Sequence, residues 1–369
     1  MAGLYIHIPY CHSKCAYCDF YSTPNLKSME QYISALKIEI KLRMCELEEP
    51  IRTIYIGGGT PSILPFFLLR ELITELSNYI EIRDLEEFTI EANPEDVTQE
   101  WVNEITQIGI NRVSMGVQSF NDTELNEINR RHTAQMALDA IKVLKENGIY
   151  QISGDLIYGL PQQDLESWKK SLDLLLSLKL PHFSAYLLSY EPGTKLYARL
   201  IEGKVGEASE DLVTEMYRYL ILKARENGYI HYEISNFALP NCEAIHNTNY
   251  WKNLPYLGVG VSAHSFDGRI RRVNPSNIKD YISKILSGNC MFEIEEEDEI
   301  NRHNDYIVVA LRTLQGIDLE YYRKNYNFAI LDIAKPHIEE GRMVLTTTHL
   351  AIAENSMLIS DRIMLDFIV

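Results

Sequence analysis

Six short apolar runs, set apart by stretches of helical period, constrain this chain more than any other feature of it. Residues 4–8, 53–56, 88–92, 112–117, 152–158 and 183–188 read as strands that are apolar on both faces, the pattern of a parallel sheet covered on both sides. Between them, Ile33, Leu36, Ile40, Met44 and Leu47 recur at spacings of three and four, as do Leu172, Leu175, Leu176 and Leu180, which places each set on one helix face. Strand and helix alternate six times, so the predicted fold class is α/β, built of βα repeats around a parallel sheet. Six units are too few for a closed eight-stranded barrel. They suffice for an open, curved, partial (β/α)6 barrel of the TIM type.

In such sheets the chemistry gathers beyond the carboxyl ends of the strands, and the polar and glycine-rich oddities of this sequence fall there. Cys11 follows the first strand, Gly57-Gly58-Gly59-Thr60-Pro61 the second, and Glu91-Ala92-Asn93-Pro94 ends the third. Gln118-Ser119 follows the fourth, and Asp155 lies in the fifth just before Gly159-Leu160-Pro161. Each could be a plain turn; their shared placement marks a site.

With 369 residues the chain exceeds the size at which single cores stop growing, so one large and one smaller domain are expected. The division is placed at residues 1–290 and 291–369. After it, "EIEEEDEINRHNDYIVVALRT" opens with an acidic run and becomes a helix with Ile307, Val308, Leu311 and Leu314 apolar, "MVLTTTHLAIAE" alternates like a hairpin, and "SMLISDRIMLDFIV" ends the chain. Helices followed by a two-stranded wing predict a small winged-helix-like domain. Such domains often bind DNA, but a net charge of −17 opposes any nucleic-acid partner, which needs a clustered positive surface. No signal peptide and no run of about 18 uncharged apolar residues is present, so a cytoplasmic protein with reduced thiols is expected.

Three of the six cysteines, Cys11, Cys15 and Cys18, fall within the stretch "CHSKCAYC". In a reducing compartment such crowding points to a metal or redox site, whereas Cys45, Cys242 and Cys290 are scattered and read as structural. A zinc site closes with four protein ligands; His7 or His12 could complete one here. Iron–sulfur clusters take one thiolate per iron, and three cysteines on a four-iron cluster leave one iron free to bind something else.

CxxxCxxC with an aromatic before the last cysteine resembles the signature of the radical S-adenosylmethionine (SAM) superfamily. The resemblance implies a 4Fe-4S cluster on Cys11, Cys15 and Cys18, with the amino and carboxylate groups of SAM chelating the fourth iron and an electron breaking the sulfur–C5′ bond. It also accounts for "GGGTP" as a backbone that meets SAM without a Cβ in the way. Through "YIHIPYC", "GGGTPS", "TIEANPE", "SMGVQSF" and "DLIYGLPQQ" the whole chain is similar to the oxygen-independent coproporphyrinogen III oxidases and their relatives. Carried over by position, Tyr5, Gly58, Gly59, Thr60 and Glu91 are implied to hold SAM, and Gln118, Arg130 and Asp155 match positions that line a second SAM in the oxidase; without the resemblance, an Asp at a strand end near an Arg suits a ribose hydroxyl or a carboxylate, with a buried Arg130–Asp155 ion pair as the alternative.

Two departures separate the branches of that family. The oxidase motif continues CxxxCxxCxC, and this chain has Phe20 in place of the last cysteine. It resembles instead the haem chaperones of the HemW type, CxxxCxxCxF, and "HNTNYW" resembles their HNxxYW motif. The implied haem residues are His246, an imidazole for iron, with Tyr250 and Trp251 as flat faces for a porphyrin; His132, His231 and His264 stay open as alternative ligands. The expected function is thus a haem chaperone that uses a cluster and SAM and delivers haem to recipient haem proteins, membrane-associated respiratory enzymes among the candidates. An electron donor is required, and a homodimer stays open. The alternative in the same family is coproporphyrinogen III decarboxylation; a zinc-binding scaffold is the alternative outside it.

Overall fold

The computed structural model describes residues 1–290, 292–294 and 298–369. Its six expected strands are β1 (Ala2–Ile8), β2 (Ile51–Gly58), β3 (Glu87–Ala92), β4 (Arg112–Gln118), β5 (Gln151–Tyr158) and β6 (His182–Leu187). They lie side by side in chain order, each parallel to the next, which is the winding of a barrel. The helices between them are α1 (Met29–Arg43), α2 (Phe66–Leu76), α3 (Gln99–Gln107), α4 (Asp122–Glu127), α5 (Ala134–Glu146) and α6 (Leu165–Ser177). Four of their starts are set by side chains that accept a backbone N–H in the first turn: Thr98 for α3, Asn121 for α4, Thr133 for α5 and Asp164 for α6. Each such cap is worth about 1 kcal/mol.

After α7 (Lys195–Ile201) and α8 (Glu210–Glu226), the hairpin β7 (Ile230–Glu233) and β8 (Asn236–Ala238) adds antiparallel to β6. The short helix α9 (Ile245–Trp251) then carries the chain to the opposite edge, where β9 (Tyr256–Val259) pairs parallel to β1. Strands β10 (His264–Phe266), β11 (Arg271–Val273) and β12 (Glu293–Ile294) extend that edge antiparallel, with α10 (Ile278–Leu286) against α1. Among the described residues the outermost strands, β12 and β7, are not joined. The barrel is open.

The remaining elements run helix, strand, helix, helix, strand, strand: α11 (Glu299–Leu311), β13 (Ile317–Asp318), α12 (Leu319–Asn325), α13 (Ile330–Glu339), β14 (Met343–Leu345) and β15 (His349–Ile352), followed by α14 (Ser360–Leu365). The expected hairpin forms, with Leu345 opposite Leu350, and β13 adds to its other side. On α11, Ile307 and Leu311 are buried, but Val308 faces solvent, because successive residues on a helix point about 100° apart. The boundary at 290/291 and the acid run Glu295–Glu297 fall on or beside positions outside the described residues.

One expectation needs correcting. The strands are apolar on one face only. Leu4, Ile6, Ile8, Ile54, Ile56, Phe88, Ile90, Val113, Met115, Ile152 and Leu156 face the helices and form the core, each contributing about 1.5–3 kcal/mol by burial. The other face carries Glu87, Thr89 and Glu91 on β3, Arg112 and Ser114 on β4, Ser153 and Asp155 on β5, and His182 and Ser184 on β6. Curvature wraps this polar face around a cavity, where hydrogen bonds between neighbouring strands replace apolar contact.

Candidate functional site

The three cysteines sit in the loop that leaves β1. Its path is fixed by backbone bonds from Cys11 N to the Thr23 carbonyl (3.1 Å), Thr23 N to the Pro9 carbonyl (2.7 Å) and Ala16 N to the Ile128 carbonyl (3.0 Å). Burial raises the Cys11 thiol pKa, and burial with the neighbouring Cys15 pushes Cys18 up to about 11. Arg130 answers this: its Nη1 lies 3.4 Å from Cys15 Sγ. The same guanidinium donates through Nη2 to the Gly116 carbonyl (2.6 Å) and to Asn93 Oδ1 (2.7 Å), so a cation is held against the cysteine loop by the ends of β3 and β4. Among the described residues no three His, Cys, Asp or Glu side chains converge on a single-ion site. Thiolates that each bind a different iron of one cluster need no such convergence, and the donor set fits that group.

The glycines of "GGGTP" are required by the protein itself as well as by any ligand. A Cβ on Gly59 would lie 2.6 Å from the Tyr10 carbonyl oxygen, and one on Gly57 would lie 2.9 Å from Glu91 Oε1. Gly58 has φ +115°, a conformation other residues rarely adopt. This close approach lets Gly58 N–H donate to Glu91 Oε2 (2.9 Å) while the Tyr55 hydroxyl donates to Oε1 (2.8 Å). Burial nevertheless raises Glu91 to about 7. Thr60 is tied by its backbone N–H to the Tyr10 carbonyl (2.7 Å), which fastens the glycine turn to the cysteine loop.

On β4 the register slips between Gly116 and Gln118, and Gln118 takes a left-handed φ of 63°. Local strain of this kind gathers at functional sites. Asp155, on β5, accepts from Ser184 (2.7 Å), Ser114 (3.2 Å) and Ser153 (3.3 Å), yet burial lifts it to about 6. Arg130 and Asp155 form no ion pair among the described residues; the one faces Cys15 and the other a ring of serines. Tyr5 stands further back, its hydroxyl 2.9 Å from His7 Nδ1 and its ring stacked on Tyr55 at 6.2 Å.

One cavity of about 480 Å³ gathers most of these groups: Cys11, Cys15, Cys18, Gly58, Gly59, Thr60, Glu91, Gln118, Arg130 and Asp155 all line it. Sequence reasoning missed several of its walls, among them Tyr17, Tyr55, Arg112, Ser114, Ser153, His182 and Ser184. The signal was available: polar residues at alternate positions of adjacent strands, in register, mark a face that looks onto something other than a core.

The model of the Radical SAM superfamily matches residues 5–175. The chain is 36% identical over 323 residues to the heme chaperone HemW of Lactococcus lactis, spanning 87% of this chain and 84% of that one. It is 34% identical over 334 residues to the heme chaperone HemW of Bacillus subtilis, spanning 88% and 87%. This chain belongs to the HemW family of radical SAM proteins. Membership of the superfamily implies a 4Fe-4S cluster and SAM. In fold it matches the Escherichia coli coproporphyrinogen III oxidase HemN, with TM-score 0.85 and 22% identity over 100% of this chain and 90% of that one.

The HemW-like segment "HNTNYW" forms α9, and the structure turns its histidine inward. His246 is 1% exposed; its Nδ1 lies 2.8 Å from the Thr53 hydroxyl and its Nε2 2.7 Å from the Tyr250 hydroxyl. Burial lowers its pKa to about 3, so the ring is neutral. Glu87 of β3 accepts the backbone N–H groups of Ile245 (2.8 Å) and His246 (3.0 Å), tying α9 to the barrel. Tyr250 packs edge-on against Tyr256 at 4.6 Å, and the Arg312 guanidinium lies 4.9 Å from the Trp251 ring. Of this motif only Asn247 reaches the cavity. Among the other histidines, His132 and His231 are buried on the Val117 and Ile234 carbonyls (3.0 and 3.2 Å), and His264 is exposed.

Proposed function

We propose that this protein is a cytoplasmic haem chaperone that binds haem and passes it to recipient haem proteins, with a 4Fe-4S cluster on Cys11, Cys15 and Cys18 and SAM beside it. The observation that carries the reading is the convergence of the three cysteines, the glycine turn and the buried acids on one cavity in a chain of the HemW family. When bound, the cluster and SAM supply one-electron chemistry at the mouth of the barrel. The residues of this chain would do the holding: Arg130 beside Cys15 would compensate thiolate charge, Gly58, Gly59 and Thr60 would meet the methionyl part, and Glu91, Gln118 and Asp155 would offer polar groups further along the cavity. The described residues contain no helix long and apolar enough to cross a membrane. On this reading residues 1–290 would carry the site and 291–369 would be a separate, smaller unit, to which the elements α11 to α14 belong.

Haem ligation by His246 asks for two hydrogen bonds to be broken and for α9 to leave Glu87. The deciding experiment runs two assays on one anaerobically reconstituted sample. Haem titration should show saturable binding, and coproporphyrinogen III should not be decarboxylated. Turnover with release of 5′-deoxyadenosine, without haem retention, would replace the chaperone reading with the oxidase one.

A further inference from the structure

Four polar side chains across β5, β6 and β7 form one line of hydrogen bonds that ends on Asp155. Ser153 and Asp155 stand two residues apart on β5 and face the same way, His182 of β6 is the register partner of Ser153, and Tyr232 lies on β7, the outermost strand of that edge. The Tyr232 hydroxyl is 2.8 Å from His182 Nε2, His182 Nδ1 is 2.7 Å from Ser153 Oγ, and Ser153 Oγ is 3.3 Å from Asp155 Oδ1. Asp155, Ser153 and His182 line the cavity, whereas Tyr232 is only partly buried. The line runs from the cavity wall to the sheet edge.

Tyr232, neutral His182 and Ser153 each have one hydrogen to give, and that fixes the direction of the line. Asp155 also accepts from Ser184 and Ser114, so its oxygens act as acceptors and the Ser153 hydroxyl donates to Oδ1. With its hydrogen so placed, Ser153 accepts from His182 Nδ1–H. The other ring nitrogen then accepts from the Tyr232 hydroxyl. Burial, with the Arg112 charge second, holds the His182 pKa well below its ordinary value, so the ring is neutral. Burial raises that of Tyr232, so its hydroxyl keeps its hydrogen. At the inner end burial lifts Asp155 to about 6. The other titratable groups whose charges act on Asp155 or feel it are Arg112, Glu91, Tyr55 and Tyr186, and among the described residues none of these is hydrogen-bonded to it. His246 is also paired on both nitrogens, but its line ends on the Thr53 hydroxyl. The His182 line ends on an acid that faces a cavity.

We propose that Tyr232, His182 and Ser153 form a proton relay that keeps Asp155 in exchange with solvent at the sheet edge when a ligand fills the cavity. This rests on the reading of the cavity as a SAM site and adds acid–base exchange to it. In one pass the Tyr232 hydroxyl gives its proton to His182 Nε2, Nδ1 gives its proton to Ser153, and Ser153 gives its own to the Asp155 carboxylate. Tyr232 recovers a proton from water. Only O–H and N–H bonds change, no electrons are transferred, and the net result is one solvent proton on Asp155; release runs the same steps backward.

The test follows the Asp155 carboxyl band by stopped-flow infrared spectroscopy after a jump from about pH 5 to about pH 8, which crosses its pKa. It uses the reconstituted full-length protein with and without saturating SAM, and Asp155→Asn identifies the band. In the wild type the band should vanish as fast with SAM bound as without. His182→Gln keeps a donor and an acceptor in place but cannot take up a proton at one end and release one at the other. Tyr232→Phe, at the partly exposed edge, removes the outer hydroxyl and leaves the cavity wall intact. Each variant should match the wild type when the cavity is empty, where water enters from the mouth, and be slower by about tenfold or more when SAM fills it. Wild-type rates in both SAM-filled variants overturn the relay, as does a wild type that itself slows tenfold on binding SAM. A protein that binds neither cluster nor SAM overturns the reading of the cavity instead.

Discussion

The two motifs that mark this chain, the cysteine loop with its glycine turn and the HNTNYW helix, are both buried against the same barrel, yet they differ in what they leave undone. Around the cysteines, thiols and acids are held away from their ordinary ionisation: Cys18 is raised to about 11, Glu91 to about 7 and Asp155 to about 6, and the Arg130 Nε is buried without a partner. Around His246, the histidine has spent both nitrogens, and the helix start is capped by Glu87. Perturbed groups that face a cavity are poised for a ligand. Groups whose bonds are complete are holding the fold together.

The largest effect that sharpens this contrast comes from Cys15→Ser. It should abolish iron and sulfide incorporation and the associated visible absorbance while leaving far-ultraviolet circular dichroism and the unfolding temperature of the cluster-free chain nearly unchanged. Retention of a full cluster would break the assignment. His246→Ala tests the other side. It removes a buried ring and leaves the Thr53 and Tyr250 hydroxyls without their partner, so it should cost about 2–4 kcal/mol in denaturant unfolding. A variant as stable as the parent that has lost haem binding would make His246 a ligand and undo the structural reading. Arg130→Lys is the third in size. A lysine keeps the charge but cannot span Cys15, Asn93 and Gly116 at once, so SAM binding and cluster lifetime in air should both fall several-fold with no change in fold.

How much of this was legible beforehand follows from the physics of each element. The six βα units, the helix faces and the strand ends that carry Cys11, Gly58, Glu91 and Gln118 were readable because period and breaker residues report backbone geometry directly. The polar lumen was not read, because a run such as "RVSMGVQ" looks apolar in bulk; only its register against "EFTIEA" and "QISGDLIY" shows Arg112, Ser114 and Asp155 on one wall. The inward turn of His246 was equally hidden. A histidine in an aromatic stretch gives no sign of which hydroxyls will reach it, and Thr53, 193 residues away, becomes its partner only through the crossing from one sheet edge to the other.

The smallest expected effect is also the most specific to the site, because it depends on the raised acids alone. Glu91 lies near 7 chiefly because burial disfavours its charge, against the stabilising bonds from Tyr55 and Gly58. In the folded chain this acid holds its proton to higher pH than in the unfolded one, so its contribution to stability is present at acid pH and is lost as pH rises through about 7. SAM carries a sulfonium cation and favours the ionised carboxylate. Its affinity should therefore rise as pH climbs from 6 to 8, by up to about tenfold for each unit separating the pKa of Glu91 in the empty and filled sites. Isothermal titration across that range would show the slope, and Glu91→Gln, which keeps the shape but cannot ionise, should bind SAM more weakly and remove most of it, leaving what Asp155 contributes nearer pH 6. A wild-type affinity that is flat with pH would mean that SAM leaves the carboxylate untouched and that the cavity's acids, like the histidine of α9, serve the fold.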